Sequence, residues 1–238
     1  DGVKSLSPKK RLELVKELNI NSRKVKPTRR VFIPQANGKL RPLGIPTMYD
    51  RALQTLVKLV LEPEWEARFE PNNFGYRPNR GCQDAIEAIF SKIYMKKKYI
   101  LDADISGCFD NINHTALLDK INTYPNLRKQ IKSWLKAGCI TNGVFEHTNK
   151  GTPQGGTLSP LLANIALHGM EEKLKEFAAT FKGQKSKNIS SLGIVRYADD
   201  FAVFHPDLKV IQECKKIISE WLKDIGLKLN EDKTRIVH

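Results

Sequence analysis

The sequence is poor in cysteine, and none of its cysteines are paired by spacing. Cys82, Cys108, Cys139 and Cys214 are scattered over 238 residues without a C-x-x-C pair. This pattern argues against a structural zinc site and favours reduced thiols, most of them packed in the core of a cytosolic protein.

Long apolar runs are also missing. The longest, such as residues 158–167, fall far short of the ~20 residues that cross a bilayer, and no secretory signal opens the sequence. We therefore expect no membrane contact and no secretion. Repeats, linkers and low-complexity tracts are absent, and with 40% hydrophobic residues the chain can bury the core of one domain or of two tightly joined ones.

Acidic residues are outnumbered by basic ones. The chain has 40 Lys and Arg against 26 Asp and Glu, a net charge of +14, and residues 1–50 alone hold 12 basic and 4 acidic side chains. Such a surplus indicates a polyanionic partner such as nucleic acid, although a solvated face or a membrane-surface protein has the same balance. We expect the partner to contact the N-terminal part most heavily.

Two adjacent carboxylates interrupt an apolar segment near the end of this basic chain. Residues 196–204, RYADDFAVF, place Asp199 and Asp200 between two β-prone stretches. The pattern predicts a buried hairpin with the acid pair at its bend. An Asp-Asp pair in a turn is often only turn chemistry, and that alternative is open when the pair is taken alone.

A second acidic strand precedes the hairpin by about a hundred residues. In residues 99–105, YILDADI, alternation puts Asp102 and Asp104 on one face of a predicted strand. If the two strands are neighbours, their carboxylates converge and suit a hard divalent cation such as Mg²⁺ better than zinc. Two such ions ~3.5–4 Å apart hold the attacking and leaving oxygens of an in-line phosphoryl displacement, so the chemistry indicated is nucleotidyl transfer.

The remaining pattern predicts helices and short hairpins. A stripe of Leu53, Leu56, Val57, Val60 and Leu61 is predicted to be core. The predicted elements are a helix over 8–18, strands over 31–34 and 39–45 joined by a turn at Asn37-Gly38, helices over 51–69 (ending near Pro63), 82–95, 115–137 (interrupted at Pro125), 160–177 and 208–225 (stopped at Gly226), a hairpin over 138–150 and a strand over 227–237.

Three loops carry candidate ligand contacts. The basic hairpin after residue 28 suits a triphosphate, although solubilising charge explains it equally well. The loop over 72–81 mixes two aromatic residues with two Arg and could hold a nucleic-acid backbone or be an ordinary structured loop. Residues 151–160 contain three Gly and two Pro, which indicates either close approach of a ligand or the opening of a helix at Ser159. Gln154 in this loop has the reach to touch a nucleotide or template.

Taken in order, these segments resemble the reverse transcriptase domain of proteins encoded by bacterial and organellar group II introns. The resemblance covers nearly the whole chain. It is carried by six motifs in the family's order: the fingers motifs GKLRPLGIP (38–46) and FGYRP (74–78), motif A from Asp104 to Phe109, motif B GTPQGG (151–156) with Ser159-Pro160, motif C YADD (197–200), and motif D over 226–234.

The resemblance implies an α+β fold made of the fingers and palm of a right-hand polymerase, with an antiparallel palm sheet flanked by helices. Residues 1–98 would be mainly fingers. Residues 99–238 would be mainly palm with motifs A to D, including a fingers-like excursion near 115–150. The thumb, which is also the maturase region, would be absent.

The resemblance also implies a catalytic site. Asp104 and Asp199 would be the main metal ligands and Asp200 the third carboxylate, with the carbonyl of Ile105 completing one site. The cofactor would be two Mg²⁺ ions, with Mn²⁺ as a substitute. Asp102 then has a supporting role.

Nucleotide and nucleic-acid contacts follow from the same resemblance. Phe109 would lie beneath the incoming sugar and reject a 2′-hydroxyl, unless it is only a core residue, and Gln35 replaces a Lys that many relatives carry. The candidates for dNTP binding are Arg29, Lys39, Arg41, Phe109, Gln154 and Lys233. Those for nucleic-acid binding are Arg23, Lys24, Lys26, Arg30, Arg77, Arg80, Gly155 and Tyr197.

The function implied is an RNA-directed DNA polymerase that adds dNTPs to a primer 3′-hydroxyl, together with binding of intron RNA for splicing and retrohoming. Its partners would be intron RNA, an RNA template with a DNA primer, and dNTPs, with a homodimer left open, in a bacterial cytoplasm or organellar matrix. The alternatives are an RNA-binding maturase whose polymerase activity is secondary or lost, and a metal-dependent nuclease.

Overall fold

The computed structural model of the protein describes residues 5–21, 25–35, 38 and 40–238. In chain order its elements are α1 (Pro8–Glu17), β1 (Thr28–Pro34), β2 (Leu40–Ile45), α2 (Met48–Glu66), α3 (Cys82–Ile93), β3 (Tyr99–Asp104), α4 (Cys108–Asn111), α5 (His114–Ile121), α6 (Pro125–Leu135), β4 (Cys139–Thr141), β5 (Val144–Glu146), α7 (Ser159–Leu167), α8 (Met170–Ala178), α9 (Lys185–Ser191), β6 (Gly193–Tyr197), β7 (Asp200–His205), α10 (Leu208–Asp224) and β8 (Arg235–Val237).

The chain forms two compact units, each assembled from two separate stretches. The first unit comprises residues 1–64 and 109–162, and the second comprises residues 65–108 and 163–238. Each unit contains a four-stranded sheet. Within the described residues, no helix is both long and apolar enough to cross a membrane.

The sheet of the first unit has the order β2-β1-β4-β5. Strands β1 and β2 pair antiparallel from Arg29↔Ile45 to Pro34↔Leu40, which confirms the predicted hairpin. At its tip Gly38 donates a backbone hydrogen bond to the carbonyl of Gln35, whereas Asn37 and Lys39 lie outside the described residues. Strands β4 and β5 form the predicted short hairpin, and β4 adds to β1 in parallel.

Helix α2 departs from the prediction in two ways. It continues through Pro63 to Glu66, because a proline in the last turn removes only one hydrogen bond and Leu61 and Trp65 on either side of it are both buried. The stripe is also narrower than predicted. Leu53, Val57 and Leu61 are buried at a spacing of four, but Leu56 and Val60, on the adjoining face, are 46% and 63% exposed.

The sheet of the second unit is antiparallel, with the order β6-β7-β3-β8. Helix α3 packs on β6 through a cluster that includes Ala85, Val195 and Phe204. Helix α10 packs on β3 and β7 with Ile211, Cys214, Ile218 and Leu222 buried. An antiparallel sheet flanked by helices confirms the predicted α+β fold.

Two predicted elements of the second half are wrong in extent. The helix over 160–177 is divided into α7 and α8, because Gly169 adopts φ +97 and breaks the helical path. Of the strand over 227–237, only β8 forms. Leu229 makes an isolated bridge with Ile105, and residues 231–233 form a 3₁₀ turn between the bridge and β8.

Candidate active site

The acid pair lies at a tight turn between β6 and β7. Tyr197 and Asp200 are paired across the hairpin, so Ala198 and Asp199 make the turn. Ala198 has φ +58, a left-handed conformation that costs a residue with a Cβ roughly 1–2 kcal/mol. Two hydrogen bonds hold this turn: Arg196 Nη1 donates to the Ala198 carbonyl at 3.1 Å, and the amide of Ile105 donates to the Asp199 carbonyl at 3.2 Å.

The two acidic strands are neighbours, as predicted. Strand β3 pairs antiparallel with β7, and Asp104 is the direct partner of Asp200. Burial, together with the charges of Asp199 and Asp104, raises the pKa of Asp200 from 3.8 to about 6. The three carboxylates therefore repel one another across the end of the sheet.

Asp104 is held by the segment that precedes β8. Asn230 Nδ2 donates to Asp104 Oδ2 at 3.0 Å, and Lys233 Nζ lies 3.1 Å from the same oxygen. The hydrogen bond that Lys233 donates to Asp104 raises the pKa of Lys233, so the Lys233 ammonium stays charged. The backbone amide of Asn230 also donates to the backbone carbonyl of Asp104 at 2.8 Å. This bond fixes the segment to the end of β3.

The donor set fits a hard divalent cation by its chemistry. It consists of carboxylate oxygens, and their mutual repulsion is what a bound cation relieves. Across the described ranges, however, no three His, Cys, Asp or Glu side chains are already gathered closely enough to hold a metal.

Asp102 has a separate partner. Its Oδ2 accepts a hydrogen bond from Arg235 Nε at 2.9 Å, and the two residues face each other across β3 and β8. Asp102 thus pairs with the edge strand β8, and its supporting or structural role stays a prediction.

Gln154 is held between two charged side chains of the first unit. Arg41 Nε donates to Gln154 Oε1 at 3.0 Å, and Gln154 Nε2 donates to both carboxylate oxygens of Asp110 at 3.1 Å. Gln154 and Asp110 line a cavity of about 410 Å³, together with Arg30 of β1. Asp110 was not among the predicted residues; its position directly after Phe109 was the available signal.

Phe109 is tied to the glycine-rich loop through its backbone. Its side chain is only 7% exposed, and its carbonyl accepts a hydrogen bond from the Thr152 amide at 2.6 Å. A Cβ on Gly151 would lie 2.6 Å from that same carbonyl oxygen. The sugar-selecting role of Phe109 stays a prediction.

Gly151 and Gly155 of this loop lie against the protein's own backbone. A Cβ on Gly155 would lie 2.7 Å from the carbonyl oxygen of Gly44 in β2. Close approach of β2 therefore accounts for Gly155 without a ligand. Helix α7 begins at Ser159 as predicted, and Ser159 Oγ donates to the Pro153 carbonyl at 2.7 Å.

Arg77 has a structural position. It is 8% exposed, its guanidinium forms an ion pair with Glu66, and Nη1 donates to the carbonyls of Glu70 and Asn73. This burial argues against Arg77 as a nucleic-acid contact. Arg80 is half-buried, donating to the Pro71 carbonyl and lying over the Phe74 ring.

The other predicted contacts lie at the surface. Lys26, Arg29 and Arg41 are exposed, Lys233 is exposed beside the acids, and Tyr197 is 38% exposed at the end of β6. Arg23, Lys24 and Lys39 lie outside the described residues.

A buried ionic network under the turn was missed. Arg196 is 3% exposed and donates to Asn164 Oδ1 at 3.1 Å, with its second nitrogen 4.0 Å from Glu70. Burial alone would raise the pKa of Glu70, but the His168 hydrogen bond and the Arg196 charge lower it to about 2. An arginine inside an apolar strand requires a buried partner, and this signal could have revealed the network.

A family model described as reverse transcriptase (RNA-dependent DNA polymerase) matches residues 26–238. The chain is 33% identical over 244 residues to protein YkfC of Escherichia coli (strain K12), covering 89% of this chain and 63% of that protein. It is 32% identical over 241 residues to the group II intron-encoded protein LtrA of Lactococcus lactis subsp. cremoris, covering 99% of this chain and 39% of LtrA.

Solved structures show the same fold. The structure of telomerase from Candida albicans in complex with the TWJ fragment of telomeric RNA is similar, with a TM-score of 0.71 at 16% identity, over 92% of this chain and 42% of that one. The chain spans less than two thirds of the curated relatives described above. It belongs to the reverse transcriptase family, and its resemblance to the reverse transcriptase domain of group II intron-encoded proteins is confirmed.

Proposed function

We propose that this protein is an RNA-directed DNA polymerase of the group II intron type. It joins a primer 3′-hydroxyl to the α-phosphate of a dNTP, copies RNA, and releases pyrophosphate. The observation that carries the proposal is the meeting of Asp104 with the Asp199-Asp200 turn at one end of an antiparallel sheet. Membership of the reverse transcriptase family supports it.

The catalytic residues are Asp104, Asp199 and Asp200. Asp104 and Asp199 bind two Mg²⁺ or Mn²⁺ ions, with Asp200 and the Ile105 carbonyl as further ligands. When bound, the two cations stabilise the attacking and leaving oxygens of the phosphoryl transfer. A cation bound at Asp104 Oδ2 would displace Lys233, whose ammonium could then donate a hydrogen bond or a proton toward the triphosphate.

The first unit supplies the proposed nucleotide contacts. The exposed guanidiniums of Arg29 and Arg41 suit a triphosphate, as does the charge of Lys39. Gln154 contacts the nucleotide and template, and its bonds to Arg41 and Asp110 support a fixed orientation. Phe109 excludes the 2′-hydroxyl. The proposed nucleic-acid path uses Arg23, Lys24, Lys26, Arg30, Arg80, Gly155 and Tyr197.

The domain roles and partners of the whole protein are part of the proposal. Residues 1–98 act mainly as fingers and 99–238 mainly as palm, with a fingers-like excursion near 115–150. The partners are an RNA template with a DNA primer, dNTPs and intron RNA, in a bacterial cytoplasm or an organellar matrix, and a homodimer is compatible with the proposal. The relative LtrA is named as group II intron-encoded, and the net charge of +14 supports RNA binding.

The test is primer extension on an RNA template with an Asp199→Asn variant. This change keeps the shape of the side chain and removes its charge, so we expect extension to fall by about 10³-fold or more, while RNA binding stays within a few-fold. The matched control is Asp102→Asn on the same sheet, which removes a carboxylate bonded to Arg235 instead and should retain most of the activity. Undiminished extension by Asp199→Asn would refute the catalytic assignment.

A further inference from the structure

The second unit contains a cavity lined by lysines. Its volume is about 340 Å³, and its walls include the four lysines Lys92, Lys96, Lys98 and Lys175, with Glu171 as the acidic residue among them. Lys92 and Lys98 are half-buried. A Cβ on Gly193, at the start of β6, would lie 2.9 Å from Cδ of Lys92. The aliphatic part of the Lys92 side chain therefore packs directly against Gly193.

Four lysines and one glutamate line this lysine cavity, so its positive charge is only partly balanced. Glu171 pairs with Lys175 at 2.7 Å and also accepts a hydrogen bond from Asn72 at 2.7 Å, so its charge is already engaged. Burial lowers the pKa of Lys92; the charge of Glu171 opposes this shift, and the nearby Lys175 and Lys96 lower the pKa further. Burial, Lys96 and Lys92 together lower the pKa of Lys98. The ammonium groups thus act on one another as like charges in a concave space.

Two sequence segments beside the cavity contain no acidic residue. No Asp or Glu occurs from residue 88 to 101 or from residue 177 to 198. The same two segments add the further lysines Lys97, Lys182, Lys185 and Lys187. Lysines that serve only solubility are usually fully exposed and interspersed with acids, whereas these are clustered and two of them are half-buried.

The cavity and the catalytic acids lie at opposite ends of the sheet. Strand β3 begins after Lys98 and ends at Asp104, and β6 begins at Gly193 and leads to the Asp199 turn. From Gly193 to Tyr197 an extended strand covers about 13 Å. An anion in the cavity is therefore not a nucleotide bound to the acids.

We propose that the lysine cavity binds phosphate groups of a nucleic-acid backbone, at a second contact separate from polymerisation. Ammonium groups recognise phosphate oxygens as point charges, without reading the base or the sugar. A bound phosphodiester relieves the repulsion among Lys92, Lys96 and Lys98, and it needs no metal.

The experiment compares two triple variants of equal charge change. The first is Lys92→Gln/Lys96→Gln/Lys98→Gln. The control is Lys209→Gln/Lys216→Gln/Lys223→Gln, which removes three exposed lysines from α10. Binding of a fluorescently labelled RNA hairpin is measured by anisotropy from about 50 to 200 mM salt, without Mg²⁺, primer or dNTPs, so the result does not depend on polymerase activity. Circular dichroism checks that both variants are folded.

We expect the cavity variant to weaken binding at least about tenfold and to reduce the slope of log affinity against log salt by about 2–3, since each lost phosphate contact contributes about 0.7–0.9. The control should change the slope by less than half as much. Equal losses in both variants would mean that only total charge matters and would overturn the proposal.

Two further measurements test which ligand the cavity binds and whether the cavity belongs to the template path. Displacement of the RNA by tripolyphosphate at equal phosphate concentration and ionic strength would overturn the proposal in favour of a small-anion pocket; failure to displace it supports a backbone. If the cavity variant raises the KM for template-primer as much as it raises the Kd for the hairpin, the cavity belongs to the template path. An unchanged KM supports a separate contact.

Discussion

At the scale of single residues, Asp104 has two roles. It accepts hydrogen bonds from Asn230 and Lys233 through one oxygen, and it is paired with Asp200 across the sheet. The contact with Lys233 neutralises a carboxylate that is otherwise surrounded by like charge. In the proposed metal site, a cation bound at this oxygen would compete with Lys233 for Asp104.

A Lys233→Gln variant tests this competition. Removal of the ammonium leaves Asp104 free to bind a cation, so we expect Mn²⁺ to bind at least about threefold more tightly, measured by electron paramagnetic resonance without substrate. Proton donation toward the triphosphate would be lost too, and maximal extension should fall. The control is Lys228→Gln, since the backbone carbonyl of Lys228, which the substitution keeps, accepts the hydrogen bond from the Ser106 amide. Weaker Mn²⁺ binding by Lys233→Gln would contradict the competition.

Phe109 supplies a second prediction at this scale. If Phe109 lies beneath the sugar as proposed, a Phe109→Ala variant opens that space, and the preference for deoxyribonucleotides over ribonucleotides should fall by at least about tenfold in kcat/KM. Phe109→Tyr keeps the ring and should keep the preference. Because Phe109 is 7% exposed, thermal unfolding must first show that the alanine variant is folded. A folded variant that still rejects ribonucleotides as strongly would remove the sugar-selecting role.

At the scale of elements, the β6–β7 turn is built from outside the hairpin. The Phe74 amide donates to the Arg196 carbonyl at 2.9 Å, and the Arg196 amide donates to the Asn72 carbonyl at 2.9 Å. Asn164 of α7 donates to the Gly75 carbonyl at 2.7 Å and accepts from Arg196. The FGYRP loop and α7 thus hold the turn that presents Asp199.

A Gly75→Ala variant tests this support. The added Cβ would meet the Ala198 amide nitrogen and lie 2.9 Å from the Tyr197 carbonyl carbon, both backbone atoms. The turn must shift, and a displacement of about 1 Å in a catalytic group can cost about a hundredfold in rate. We expect that loss in primer extension with near-native circular dichroism.

The matched control for Gly75 is Gly81→Ala. A Cβ there meets the far end of the Gln83 side chain at 3.0 Å, which can move away. Retention of full extension by Gly75→Ala would show that the loop does not set the position of Asp199.

At the scale of the whole molecule, the buried network contributes to stability in a pH-dependent way. Glu70 is 5% exposed, accepts a hydrogen bond from the Gly169 amide at 2.6 Å, and lies 3.0 Å from His168 Nδ1. Its pKa falls from 4.5 to about 2 on folding. A carboxyl group whose pKa is lowered on folding stabilises the folded state fully above about pH 4.5. This stabilisation is lost as the pH falls through about 2.

A Glu70→Gln variant should therefore lose about 3 kcal/mol of unfolding free energy at pH 7, at about 1.36 kcal/mol per pKa unit. The difference from the wild type should shrink as the pH falls from 4.5 toward 2. Urea unfolding followed by circular dichroism at a series of pH values measures it, with exposed Glu172→Gln as the control. A difference that stays constant over this range would contradict the assigned pKa shift.

Sequence alone determined the features that depend on local pattern. The alternation around Asp104 and the apolar strands on either side of the Asp199-Asp200 pair predicted two acidic strands, because side-chain period and turn chemistry are properties of neighbouring residues. The six ordered motifs were likewise readable along the chain. These motifs were sufficient to predict the α+β fold and membership of the family.

Only the tertiary structure decided which distant groups meet. The register that pairs Asp104 with Asp200, the bond from Asn230 to Asp104, and the burial of Arg77 against Glu66 have no signature in the local sequence. Such contacts depend on which strands pair and on how a surplus of charge is distributed once the core has formed. For this reason the lysine cavity at the far end of the sheet could not be seen in the run Lys96-Lys97-Lys98 alone.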